Sequence, residues 1–204
     1  FCLSRGLGDV YKRQILYIGR TDTYRLCKGG INPSHWLYGT MEMEKDGNEV
    51  IWADESIALF NDWKLVKKYR PDSVFIHNLN MREHLVLSIM KALGIIHCPI
   101  FGFLHHTPKG GKTKILYWIF LRGIKHIFFL SKKTMKETIE RGYIQEKKCS
   151  VPGWGPDMDF YNKVPKKNGK WFVSTGKENR DFNILIEAFK RTGAPLKIMT
   201  AKSH

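Results

Sequence analysis

The chain has 204 residues, 43% of them hydrophobic and 13% aromatic, with a formal net charge of +15. That apolar content excludes an intrinsically disordered chain, and the length fits one or two globular domains. The positive balance calls for an anionic partner (phosphate, an acidic lipid surface or nucleic acid) without choosing among them.

Ser4 to Gln14 reads SRGLGDVYKRQ. It resembles the translation of a transposon-based sequencing adapter, so residues 1–14 are set aside as artefactual before fold reasoning. They hold Arg5, Lys12 and Arg13 against Asp9, so a charge of about +13 remains elsewhere. The natural protein is expected to begin near Ile15.

From there strand and helix signals alternate. Ile15 to Gly19 is a short apolar run that predicts a first strand, followed by a loop with Gly29 and Gly30. Pro33 to Lys45 predicts a helix, with proline near its start and Gly47 past its end. Val50 to Ala53 is a second strand, and Leu59, Phe60, Trp63 and Val66 have helical spacing within Ile57 to Tyr69. Arg70-Pro71-Asp72 breaks that helix before a strand over Ser73 to His77. Arg82 to Leu93 is a helix closed by Gly94, Ile100 to Leu104 a strand, Lys112 to Leu121 a helix and Ile127 to Leu130 a strand. Lys132 to Arg141 is an amphipathic helix stopped by Gly142, and Cys149 to Val151 a short strand. The alternation predicts a parallel sheet covered by helices on both faces, over residues 15–162. Residues 163–170 form a polar linker, and residues 171–204 open a second α/β domain: strand Phe172 to Thr175, a helix from near Asp181 to Lys190, and strand Leu196 to Thr200. One strand–helix–strand unit cannot bury a core alone, so the chain is expected to be a piece cut at both ends.

Cys27, Cys98 and Cys149 stand far apart without metal spacing, which fits reduced thiols in a cytoplasm. No stretch reads as a secretory signal. The longest apolar stretch, Ile115 to Leu130, is interrupted by Arg122, Lys125 and His126, too short and too charged to span a bilayer.

Ligands of open parallel sheets bind at the carboxyl ends of the strands. The residues after each strand are the Gly29-Gly30 loop, His77-Asn78, His105-His106-Thr107-Pro108 and Ser131. His105 and His106 would point to opposite faces and so do different jobs, and neither has a second ligand at metal spacing. No metal is expected. Cys98 lies before its strand, at the wrong end for a Cys–His pair. In the second domain Gly176 permits a tight turn, and Lys177 and Arg180 precede a helix N-terminus, a good diphosphate site.

At these residues the chain resembles retaining glycosyltransferases of the GT-B fold, in the large family four group. The resemblance runs from Ile15 to Thr200. It is carried by the opening strand, the Gly29-Gly30 loop, the turn Gly47-Asn48-Glu49-Val50, Arg70-Pro71-Asp72 and the His105 segment. Phe128 to Ser131, Val151 to Asp157 with Phe160, and FVSTGKENRDFNILIEAF from Phe172 extend it. Gly153-Trp154 replaces the family's common Asn, and Lys177 and Arg180 stand where Arg and Lys are more usual, a change that keeps charge but alters geometry.

The resemblance implies an α/β fold of GT-B type: a Rossmann-like sheet flanked by helices, plus the first β-α-β of a second Rossmann-like domain. It implies a metal-independent, retaining enzyme of bacterial polysaccharide biosynthesis. The donor would be a nucleotide sugar serving as co-substrate, with no other cofactor, and the acceptor a glycan or a lipid-linked molecule. Gly176, Lys177, Arg180 and the helix N-terminus would carry the charge of the departing diphosphate. His105 would touch the transferred sugar, with His106 as substitute one register away. Gly29 and Gly30 would let backbone amides approach acceptor or sugar. The expected location is the cytoplasm, with peripheral contact to an anionic inner membrane face through Lys112 to Lys125; a core helix with outward cations explains that segment too. Rival readings are a GT-B sugar-nucleotide epimerase, which needs cleft carboxylates, a basic module that binds nucleic acid or a membrane surface, and a non-catalytic GT-B remnant. The second is disfavoured because the charges scatter and Trp36, Trp63 and Trp118 have core-like spacing. No nucleic-acid partner is expected, and the fragment is expected to be inactive alone.

Overall fold

A computed structural model describes residues 12–58, 60–163, 169–176 and 181–200. Residues 4–11 of the adapter-like segment, Leu59, linker positions 164–168, Lys177 and Arg180 lie outside the described residues. The chain divides into two compact units, Phe1–Tyr161 and Asn162–His204.

The first unit runs β1 (Gln14–Gly19), α1 (Thr21–Lys28), a 3-10 turn (Ser34–Leu37), α2 (Thr40–Lys45), β2 (Glu49–Asp54), α3 (Asn61–Tyr69), β3 (Ser73–Ile76) and α4 (Met81–Ala92). It continues β4 (Ile100–Phe103), α5 (Lys114–Arg122), β5 (His126–Phe128), α6 (Lys132–Glu140), a 3-10 turn (Glu146–Lys148), β6 (Cys149–Ser150) and α7 (Met158–Asn162). The strands form one parallel sheet in the order β2-β1-β3-β4-β5-β6, Rossmann-like in its general plan.

The period of two along each strand sorts the side chains into two cores. Leu16, Ile18, Val74, Ile76, Ile100 and Ile127 face an aliphatic layer filled by Val66 of α3, Leu87 of α4, and Phe120 and Leu121 of α5. Tyr17, Phe75 and Phe103 face the other way, into an aromatic layer with Tyr38, Met43 of α2 and Trp52. Helix starts are set by side-chain caps: Asn80 accepts from the Arg82 amide, and Ser131 from the Thr134 amide. Helices α4 and α5 meet where the Ser88 hydroxyl donates to the Phe120 carbonyl, and Gly123 leaves no room there for a Cβ against Ser88.

Three expectations change. The region after β1 is a helix, α1, and Gly29-Gly30 closes it instead of following the strand directly. The single helix expected over Pro33 to Lys45 is two pieces, because Tyr38 (φ 50°) and Gly39 (φ 82°) are both left-handed and reverse the chain between them. Trp36 and Trp118 are exposed, not core residues; Trp63 packs against the aliphatic core as expected.

The second unit is β7 (Phe172–Thr175), α8 (Phe182–Thr192) and β8 (Leu196–Met199), with its two strands parallel. Asp181 caps α8 by accepting from the Ile184 amide. No described residue of this unit is buried.

Candidate functional site

The strand order reverses between β1 and β3: the chain leaves β1 for β2 on one side and returns to β3 on the other. Such a switch point opens a crevice at the carboxyl ends of the strands. Close approach is needed there, since a Cβ at Gly19 would lie 3.1 Å from the His77 Cβ and closer still to the Tyr17 ring.

His77, next after β3, sits with Nδ1 2.8 Å from the Tyr17 hydroxyl. Burial above all, then the neighbouring His105 and Arg20, pulls its pKa down to about 4. His105, two residues past β4, is also lowered, first by burial and then by His106, against a hydrogen bond its ring donates to the His77 backbone carbonyl. Both imidazoles are therefore neutral at pH 7. The buried His105 Nε2 has no hydrogen-bond partner among the described residues. His106 is exposed, its ring 6.5 Å from that of His105 and nearly perpendicular to it. Glu55, following β2, is pushed upward by burial first and then by Glu83, and its Oε1 is likewise unpartnered.

Tyr38 joins these groups to an open cleft. Its left-handed backbone turns the ring onto Phe103 (4.4 Å between centroids), His77 (4.7 Å) and His105 (5.7 Å), with Trp154 at 6.2 Å. The cleft has a volume of about 430 Å³ and is walled by Ser34, His35 and Tyr38 on one side and by Pro152 to Asp157 on the other. These walls are tied across more than 100 residues of sequence. Asp157 accepts from the Ser34 hydroxyl (2.5 Å) and amide (3.0 Å), His35 Nδ1 accepts from the Asp157 amide, and the Trp154 indole donates to the His35 carbonyl. The Ser34 hydroxyl, then the Phe160 and Ser34 amides, hold the Asp157 carboxyl down at about 2. Because His35 Nδ1 is an acceptor, its ring proton sits on Nε2.

His105 thus joins the cluster behind the cleft, and His106 stands outside it in solvent. The Gly29 and Gly30 amides are bonded to the Arg25 and Cys27 carbonyls, so both are engaged in closing α1. Gly176 ends β7 with φ 150°. Asp181 places a carboxylate at the start of α8, where an anion was expected. Sequence reasoning did not single out Tyr17, Ser34, His35 or Tyr38, and named Asp157 only within the Val151 to Asp157 segment, without a role. The one local signal was the Pro-, Gly- and Trp-rich run after the last strand. Among the described residues no His, Cys, Asp and Glu cluster has metal-site geometry.

Comparisons with known protein families and with curated proteins return no match.

Proposed function

We propose that the first unit is the acceptor-side domain of a retaining, metal-independent GT-B glycosyltransferase. The observation that carries this reading is the carboxyl-edge cleft, with aromatic rings of Tyr38 and Trp154 beside neutral imidazoles. Sugars present C–H faces that pack on aromatic rings and hydroxyls that pair with uncharged donors and acceptors. The charged groups lining the cleft are Glu42 and Asp157, which repel phosphate and so disfavour nucleic acid there.

In this reading the anomeric carbon leaves a diphosphate oxygen and bonds to an acceptor oxygen, whose proton passes to the departing diphosphate. His105 backs Tyr38 at the wall that receives the transferred sugar, and Gly176, Lys177 and Arg180 take the charge of the departing nucleoside diphosphate. The outward Ile115, Leu116 and Trp118 of α5, with Lys112 and Lys114, support peripheral contact of a cytoplasmic enzyme with an anionic leaflet and hence a lipid-linked acceptor. No described helix is long and apolar enough to cross a membrane.

The test is saturation-transfer NMR of the chain with a panel of oligosaccharides. Sugar contact is expected, weakened about tenfold or more by Tyr38→Ala or Trp154→Ala. Absence of contact, or contact indifferent to both changes, rejects the reading. Residues 15–204 alone are expected to show no turnover of any nucleotide sugar, because the second unit buries none of its described residues.

A further inference from the structure

A second cavity, of about 560 Å³, opens at the amino edge of the first unit's sheet, opposite the carboxyl-edge cleft. It lies where α4 and α5 end and where β4, β5 and β6 begin, and its rim carries Lys91, Arg122, Lys125, His126, Lys147 and Lys148. No acidic residue lines it, and among the described residues none of the five cations lies within ion-pair distance of a carboxylate.

Two of these cations have an internal role. The Lys91 ammonium donates to the His97 carbonyl (2.8 Å), and Lys148 donates to the Leu121 (3.2 Å) and Arg122 (3.3 Å) carbonyls. They offset the negative C-terminal end of α5 and the loop after α4. Arg122, Lys125 and Lys147 remain in excess. Arg122 lies on the Trp118 ring, 4.7 Å from its centroid, which holds the guanidinium in place without neutralising it. The local potential is positive enough to be felt by a neighbour: Lys148 is lowered first by burial and then by Arg122 and Lys125. Phe101 and His126 add an aromatic wall able to take the organic part of a ligand.

We propose that this amino-edge cleft binds a soluble phosphate ester carrying two or more phosphate groups, held by Arg122, Lys125 and Lys147. The site is separate from the sugar cleft and does not depend on the glycosyltransferase reading. Three uncompensated cations match a multiply charged ligand better than one phosphate, and the cavity is enclosed by the fold on the sheet side instead of being a flat face.

The experiment is calorimetric titration of the full 204-residue chain with inorganic pyrophosphate at low ionic strength. Saturable binding at the amino-edge cleft is expected, whether or not the second unit also takes pyrophosphate. The Lys125→Ala/Lys147→Ala double variant, which changes only exposed side chains, should weaken it about tenfold or more, and added salt should weaken it further. Lys132→Ala/Lys133→Ala, which removes two exposed cations of α6 outside the cavity, should leave it unchanged. Absence of saturable binding, or equal affinity in the double variant, overturns the proposal. Loss of binding in Lys177→Ala instead would place the phosphate in the second unit and also overturn it. So would retention on phosphatidylglycerol vesicles that pyrophosphate fails to displace and that the Lys125→Ala/Lys147→Ala variant loses, which would make this edge a membrane surface.

Discussion

At the scale of single residues, the carboxyl-edge cluster stores neutral imidazoles where water would protonate them. His77 has its pKa near 4 in the folded chain, below the usual 6.5, because burial disfavours the charged ring. The unfolded chain therefore binds the extra proton first. The stabilisation from a neutral His77 is fully present above pH 6.5 and is lost as pH falls towards 4. Urea unfolding midpoints should drop more steeply between pH 7 and pH 4.5 for the wild type than for His77→Gln, which keeps a partner for Tyr17 but does not titrate. Parallel pH slopes in the two proteins would refute this. Asp157 has the same sign in a lower window: its carboxyl is depressed to about 2, so its contribution persists at mildly acidic pH and disappears only as pH falls through that value. Removing it in Asp157→Ala should cost about 1 kcal/mol of stability in a denaturant titration, the scale of a lost cap. It should weaken sugar binding as well, because the Ser34 hydroxyl and amide lose their tie to the opposite wall.

At the scale of elements, the reversal at Tyr38-Gly39 does the most for the site, because it turns the Tyr38 ring back over the strand ends. Nothing lies within 4 Å of where a Gly39 Cβ would be, so Gly39→Ala tests backbone conformation alone. It should destabilise by about 1–2 kcal/mol, the cost of left-handed backbone for an L residue. Gly102→Ala meets a different obstacle: its Cβ would fall 2.7 Å from the Ile76 carbonyl and 2.9 Å from Leu79 Cδ2. Overpacking of this kind costs about 1–3 kcal/mol, and a melting temperature equal to wild type would show that β3 and β4 part more easily than their spacing implies. The strands and α3 to α6 were legible because they carry apolar runs or periods and because Arg70-Pro71-Asp72, Gly94 and Gly142 mark helix ends. Helix α1 was not, since TDTYRLCK is only eight residues long, mostly polar, and buries only Cys27. The Tyr38-Gly39 break was hidden inside an apolar run whose spacing suits a helix. The tie between His35 and Asp157 spans 122 residues, and no local pattern encodes it.

At the scale of the whole molecule, the two units differ in what holds them together. The first has strands whose inward residues, such as Leu16, Ile18, Val74, Ile100 and Ile127, are fully removed from water, between helices on one face and aromatic packing on the other. The second has the same local grammar, a strand, a capped helix and a parallel strand, but leaves Phe172, Val173 and Ile184 more than half exposed. Its alternating pattern was readable for the same reason as that of the first unit, yet pattern specifies only which face is apolar, not that anything covers it. Free energy of opening follows buried apolar contact, so the units should separate in amide hydrogen exchange. Amides of β1, β3 and β4 should exchange only through unfolding of the first unit. Those of β7, α8 and β8 should exchange orders of magnitude faster under the same conditions, with α8 protected little better than an isolated helix of its 11 residues. Equal protection in both units would mean that the second shares the stability of the first, and that its exposed apolar face is covered in solution.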